Sequence, residues 1–326
     1  MRHIPISAVE DAATAVYAAA VRTPLVRLDV PVRTPEGAEV QVYLKLECLQ
    51  PIGSFKLRGA YNAVRQLGAH DLTDGVWTVS AGNAAQGVAF AARAVGVPCS
   101  VMVMDTAPET KVRAIERLGA SIVRATYDEC WATVETHASD RMHGYFVHPF
   151  DNDAFIAGNA TAGLEILADL PDVSTVVAAI GGGGLLAGVA AVMAARRPDV
   201  RVVAAEPETA SPLAQSLAAG APQRFAAWRS SFVDGAGGRA VLPSMWPLLQ
   251  GSVAQSVVVT LDDAAAAMRL TAERVHVIIE GAAACAVAAA LSGRAGAGKV
   301  VAIVSGGNID LSRFATLVGA CPAPPA

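Results

Sequence analysis

Short apolar runs, small-residue turns and amphipathic stretches alternate along this chain. Ser7-Ala8-Val9-Glu10 has the form of a capping box and predicts a helix to about Ala20. Thr23-Pro24-Leu25-Val26 breaks it into extended chain, and Val40 to Glu47 alternates partly, as a strand does. After Pro51 and Gly53 the pattern turns helical from Ala60 to Leu67. Val76 to Ser80 reads as a strand that runs through Ala81–Gly87 into an alanine-rich helix, closed at Val95 by Gly96-Val97-Pro98. Ser100 to Met104 and Ser121 to Arg124 read as strands. The helix between them has Thr106 as its cap, Pro108 near its first turn and Gly119 past its end. This succession predicts a compact βαβ unit.

A second region opens at Phe146 to Pro149. Ile156 to Leu167 reads as a helix, and Val173 to Ile180 is a nearly pure apolar strand of the kind buried on both faces. Four glycines then open a helix through Ala195. Val200 to Ala205, Val257 to Thr260 and Lys299 to Val304 read as strands. Helices are expected over Asp262 to Val275 and Gly281 to Leu291, with a loop-rich stretch from Pro207 to Gly238 and a frayed tail from Cys321.

Composition narrows the class. Of 326 residues, 53% are hydrophobic and only 17% charged, with a net charge of -4. That suits an α/β enzyme with buried parallel strands, and it leaves no electrostatic footprint for nucleic acid or an anionic membrane. The five cysteines are scattered without a CxxC pair, so reduced thiols in a cytoplasmic protein are expected rather than a zinc site. Glu10 and Asp11 interrupt the one N-terminal alanine-rich stretch, and no apolar run is long enough to span a membrane.

The candidate chemistry lies in the turns. Gly181-Gly182-Gly183-Gly184 between a strand and a helix places bare N–H groups at a positive helix end, a phosphate cradle. It is not a Walker loop. Gly182, Gly184 and Ala187 also fit a dinucleotide fingerprint, with Glu206 at the expected distance, so this stretch alone leaves both uses open. Ser80-Ala81-Gly82-Asn83 and Ser305-Gly306-Gly307-Asn308 end strands, where open α/β sheets bind ligands, and each offers a hydroxyl and an amide without charge. Gly53-Ser54-Phe55-Lys56 adds a lysine among small and aromatic residues. Such an amine forms Schiff bases with carbonyls when burial keeps it partly neutral.

These motifs in this order resemble the fold-type II pyridoxal-phosphate enzymes, nearest to the threonine/serine dehydratases and serine racemases. Pro51 to Ala60, Ser80 to Gly87, Gly181 to Gly184 and Ser305 to Asn308 carry the likeness, which spans about residues 22–311. Val21–Val26, His148–Asp151, Ile156–Gly158 and Ala205–Pro207 match family stretches too. The resemblance implies two open twisted sheets with helices on both faces and pyridoxal 5'-phosphate in the cleft between a large domain (residues 1–74 and 145–326) and a small one (75–144). It also implies a homodimer without a C-terminal regulatory domain. By position, Lys56 is the Schiff-base lysine and proton-transfer base, Phe55 lies against the pyridine ring and Asn83 bonds its phenolic oxygen. Gly181, Gly182, Gly183 and Gly184 bind the phosphate, Ser305 faces the pyridine nitrogen, and Ser80, Ala81, Gly82, Asn83 and Ala84 meet the substrate.

Departures from the family pattern refine the expected activity. Ala81 stands where racemases of this group have a second serine, which favours elimination over racemisation. Ala84 replaces the usual histidine, and Gly158-Asn159-Ala160-Thr161 replaces Gly-Gln-Gly-Thr, so a substrate other than threonine is open. Glu206 matches a metal ligand of some members, but its partner position is Pro212, so no metal is expected. Glu280-Gly281 replaces Glu-Pro, with Glu280 either facing the site or satisfied structurally. The expected activity is an ammonia-lyase that turns a 3-hydroxy amino acid, threonine or serine by default, into a 2-oxo acid and ammonia. A racemase, a nicotinamide-dependent oxidoreductase and a non-catalytic binding protein are the alternatives. Arg58 is expected to pair within the lysine helix, and the histidines to be structural or exposed, His148 among them at a strand end.

Overall fold

A computed structural model describes residues 2–320; the expected frayed tail from Cys321 lies outside them. The chain opens with helix α1 (Ile6–Ala15), then strands β1 (Leu25–Arg33) and β2 (Glu39–Lys45), and helix α2 (Lys56–Arg65). Next come β3 (Val76–Val79), α3 (Asn83–Val95), β4 (Cys99–Met104), α4 (Glu109–Glu116), β5 (Ser121–Ala125), α5 (Tyr127–Thr136) and β6 (Tyr145–Phe146). The rest is α6 (Asp153–Asp169), β7 (Thr175–Ala179), α7 (Gly184–Arg196), β8 (Arg201–Pro207), α8 (Pro212–Ala219) and α9 (Trp246–Leu249). These are followed by β9 (Gln255–Val259), α10 (Leu261–Val275), α11 (Gly281–Leu291), β10 (Gly298–Ile303) and α12 (Leu311–Ala320).

The strands form two sheets. One has the order β1-β2-β10-β7-β8-β9; the other, β5-β4-β3-β6, is parallel throughout and takes its last strand from beyond residue 144. In the larger sheet only the β1–β2 pair is antiparallel. β7, β8 and β10 are apolar on both faces because helices cover both, α7 on one side and α11 on the other. Seven alanines in the eleven residues of α11 let it lie close against the sheet, and ten of the eleven are buried. The small sheet has its own core, built on Val76, Val101, Val103, Ala89 and Ile115.

Several local expectations are corrected. α1 starts at Ile6 behind Pro5 with no side-chain cap, so Ser7–Glu10 is not a capping box, and a short 3-10 turn over Val16–Ala18 follows it. Pro108, not Thr106, holds the N-cap of α4. Capping boxes form instead at Thr126–Glu129 and Thr260–Asp263. β1 runs on to Arg33 despite Pro31, because an edge strand has an N–H side with no partner to lose. α2 begins four residues before Ala60, which puts Lys56 in its first turn. Gly59 does not weaken that helix, because α6 approaches it so closely that a Cβ would run into Asn159 Oδ1 at 2.5 Å.

Candidate active site

The ends of β3, β7 and β10 converge on one cleft beside the first turn of α2. Phe55 N–H donates to the Ser305 carbonyl (3.0 Å), which sets α2 against the end of β10, and Ser54 forms an isolated bridge with Gly306. Lys56 donates from Nζ to the Pro149 carbonyl at 2.5 Å, with the Phe55 and Phe155 rings 5.4 and 5.2 Å from the amine. Its side chain opens on the cleft and is part-exposed there. Protein still surrounds the amine deeply enough that burial pulls its pKa from 10.5 down to about 7, against an opposing pull from Glu280.

A buried ionic bed holds this lysine helix. Arg58 donates to both Glu47 oxygens at 2.8 Å and to Glu165 Oε1 at 2.7 Å. Lys45 takes the other Glu165 oxygen at 2.6 Å. Thr23 and Tyr17 donate to Glu47 and Glu165 at 2.6 and 2.7 Å. Arg58 thus pairs across to β2's end and α6, not within its own helix. Buried charges persist only when matched in this way.

The four glycines open α7 against Phe150. The Phe150 ring occupies the place a Gly182 side chain would take, and a Cβ on Gly181 or Gly184 would meet the Gly235 carbonyl at 2.5 Å or the Phe150 carbonyl at 2.8 Å. Gly183 has φ +93°. The first-turn N–H groups of α7 have no intrahelical partner and stand at the positive helix end. Across the cleft, Ser80 Oγ accepts from Gly82 N–H at 3.1 Å, and Asn83 is the first residue of α3. Ala81 is half-buried and Ala84 buried. Asn159 lies fully buried beside Gly59, with neither amide atom hydrogen-bonded among the described residues.

Glu280, whose role the sequence leaves open between the site and the fold, and Asn308 of the Ser305–Asn308 turn both belong to this cluster. Asn83 Nδ2 donates to Glu280 Oε1 at 2.8 Å, and Asn308 Nδ2 donates to Asn83 Oδ1 at 2.7 Å. The amide is therefore oriented from both ends, with its second N–H still available. Glu280 also receives its fold position from its N–H bond to the Gly306 carbonyl (3.0 Å), and burial, reinforced by Asp234, pushes its carboxyl up to about 8. The signal for it was a carboxylate immediately before an alanine helix that offers no other polar group until Ser292.

Other candidates have structural occupations. Glu206 accepts from Leu213 and Ala214 N–H at 2.8 Å each and from Ser256 at 2.6 Å, so it caps α8 and its two oxygens are taken. That leaves no acid for a ribose. His148, His137 and Asp151 cluster, but His148 Nδ1 accepts from Asp151 N–H (2.7 Å), Nε2 faces the Val134 carbonyl (3.1 Å), and Asp151 pairs with Arg2 and Ser244. Burial lowers His148 to about 4, so it is a neutral structural ring.

This cleft fits pyridoxal phosphate. It offers a near-neutral amine, a backbone anion cradle that side chains would fill, and an oriented amide. The family model described as pyridoxal-phosphate dependent enzyme matches residues 16–306. The chain belongs to that family. It is 37% identical over 281 residues to the L-threonine ammonia-lyase of Thermotoga maritima, covering 85% of this chain and 70% of that protein. It is also 37% identical over 286 residues to the serine racemase of Homo sapiens, covering 85% of this chain and 84% of that one. Its fold matches the processed form of threonine deaminase isoform 2 from Solanum lycopersicum with a TM-score of 0.85 at 30% identity, over 96% of this chain and 92% of that one. The fold is thus the fold-type II architecture expected from the motif order, and pyridoxal phosphate is its cofactor.

Proposed function

We propose that this pyridoxal-phosphate enzyme is an ammonia-lyase that removes water and then ammonia from a 3-hydroxy amino acid, threonine or serine by default. The observation that carries the reading is a single near-neutral amine, Lys56, at the cleft, with the methyl of Ala81 where a racemase of this group needs a second proton carrier. The kinship with L-threonine ammonia-lyases supports it.

Bound cofactor supplies an electrophilic carbonyl and an electron sink for the substrate α-carbon. The glycine run and the N-terminus of α7 would hold its phosphate, Asn83, kept in place by Asn308 and Glu280, would offer its available N–H to the ring's oxygen, and the neutral Ser305 hydroxyl would serve its ring nitrogen. The Ala81 and Asn83 backbone N–H groups at the start of α3, beside the Ser80 hydroxyl, hold the substrate carboxylate, since the Ser80 and Gly82 N–H groups are bonded to the Met102 carbonyl and to Ser80 Oγ. Lys56 accepts the α-proton, the β-hydroxyl leaves as water, and the released enamine takes up water to give the 2-oxo acid and ammonia. With burial holding the Glu280 carboxyl up at about 8, Lys56 is the base that serves the α-carbon at neutral pH. Ammonia release from a panel of 3-hydroxy amino acids tests this, with chiral analysis of the residual serine; racemised serine without ammonia refutes it.

The same reading carries a cytoplasmic homodimer. Cys48, Cys99, Cys130 and Cys285 are all free thiols, and no described helix is long and apolar enough to cross a membrane. Light scattering on purified enzyme reads the mass; a monomer contradicts this part.

A further inference from the structure

The segment from Asp234 to Arg239 runs along the cleft beside the glycine run and Glu280. Gly235 sits between Gly181 and Glu280: its carbonyl lies 2.5 Å from where a Gly181 Cβ would be, and its own Cβ would lie 3.7 Å from Glu280 Oε1. Gly238 packs beside the Gly181 carbonyl, so Arg239 follows directly on the phosphate cradle. Its side chain crosses to the small-sheet half of the molecule. There the guanidinium lies between two ring faces, Trp228 at 4.0 Å and Tyr127, in the first turn of α5, at 4.3 Å. Trp228 is itself fixed by its Nε1–H bond to the Gly237 carbonyl at 2.9 Å.

This cation is held but not matched. Arg239 Nε is buried without a hydrogen-bond partner, and the guanidinium donates to no group among the described residues. The other cation at this mouth, Lys111 of α4, is already neutralised by Asp234 across the cleft. A flat guanidinium with unused N–H donors is the partner a carboxylate fits bidentately, and stacking between rings fixes its plane in advance. The α-carboxylate and the α-carbon have their own places at Ser80–Asn83 and Lys56, so a group that reaches Arg239 belongs to the substrate's side chain.

We propose that Arg239 binds a carboxylate on the substrate side chain, so that this enzyme acts on a 3-hydroxy amino acid that is also a dicarboxylate. The inference rests on the lyase reading for the reaction and on Arg239 for the substrate. One unmatched positive charge suits one carboxylate rather than a phosphate dianion. Ala84 and Ala81 agree with it, since neither adds a polar group that would compete for the side-chain anion.

The test compares holoenzyme with Arg239→Gln and Arg239→Lys. Ammonia release is measured from 3-hydroxyaspartate, serine, threonine and O-phosphoserine, and Trp228 fluorescence is followed during titration with succinate or butyrate, with Trp228→Phe identifying the signal. Wild type is expected to favour 3-hydroxyaspartate over serine. Arg239→Gln is expected to lower kcat/KM for 3-hydroxyaspartate roughly 100-fold more than for serine, the scale of a lost charge-assisted pair, with partial rescue in Arg239→Lys. Succinate, not butyrate, is expected to change the Trp228 signal. Equal losses on both substrates mean that Arg239 only clasps the two halves, and a preference for O-phosphoserine assigns a phosphate; either overturns the proposal. If no substrate releases ammonia, the lyase reading fails, and the succinate titration decides the arginine separately: an Arg239-dependent response supports the carboxylate site and its absence overturns it.

Discussion

At neutral pH Lys56 should hold its neutral, reactive form about three orders of magnitude more often than an ordinary lysine does. Burial places its pKa at about 7 instead of 10.5. At pH 7 about half of the amine is then neutral, against roughly one part in 3,000 for a solvated lysine. The perturbation is pH, and the assay is the rate at which apoenzyme takes up pyridoxal phosphate, followed by its visible absorption. Between pH 6 and 8 the neutral fraction rises only about tenfold, then levels off, whereas an ordinary lysine would gain about 100-fold and continue to rise past pH 9. Glu280→Gln moves the midpoint toward lower pH, because the Glu280 carboxylate raises the lysine. That displacement should stay below about one pH unit, since Glu280, held up at about 8, is mostly protonated where Lys56 titrates. A rate that climbs without a break to pH 10, or a midpoint displaced upward in Glu280→Gln, refutes the electrostatic account.

Three further outcomes follow from particular contacts. Gly182→Ala forces a methyl into the Phe150 ring at the mouth of the phosphate cradle, so cofactor affinity should fall at least about tenfold while the fold persists, read by equilibrium dialysis beside circular dichroism. Arg58→Met leaves Glu47 and Glu165 buried with half their partners gone and should cost about 3–5 kcal/mol in urea unfolding; a loss below about 1 kcal/mol contradicts the ionic bed. Apo Lys56→Met should be more stable than apo wild type. The folded pKa of Lys56 lies below its unfolded value, so the folded wild type binds fewer protons between about 7 and 10.5 and gains stability as pH rises through that window. The advantage of the methionine variant is therefore greatest at and below pH 7 and vanishes by about pH 10.5, read as apo-enzyme melting temperature against pH.

Much of this architecture was legible in the sequence because its markers are local. Val173 to Ile180 announced a doubly covered strand by being nearly all apolar, and the four glycines that follow mark a strand end where backbone must be approached closely. Lys56, Asn83, Gly181 to Gly184 and Ser305 could be named because each sits in a short motif at such an end, and they lie around one cleft. What was not legible depends on distant partners. Glu280 acquires its place from Asn83 and Gly306, residues far from it in sequence, and Glu206 fits a ribose acid by spacing until the N-terminus of α8 is seen to occupy both its oxygens. Arg58 looked like part of a helical pair, but its partners come from the turn after β2 and from α6. β1 was hidden by Pro31 and its charged outer face, features that only its edge position excuses.

The central claim is that Lys56 alone performs proton abstraction for β-elimination. Its most direct measurement follows the α-proton of a 3-hydroxy amino acid in deuterated buffer, in wild type and in Lys56→Ala reconstituted with pyridoxal phosphate. The account predicts that wild type releases ammonia and 2-oxo acid in equal amounts without racemising residual substrate, and that Lys56→Ala loses both α-proton removal and ammonia release. Continued α-proton exchange in Lys56→Ala, or racemised residual substrate from wild type, would contradict it by requiring a second base.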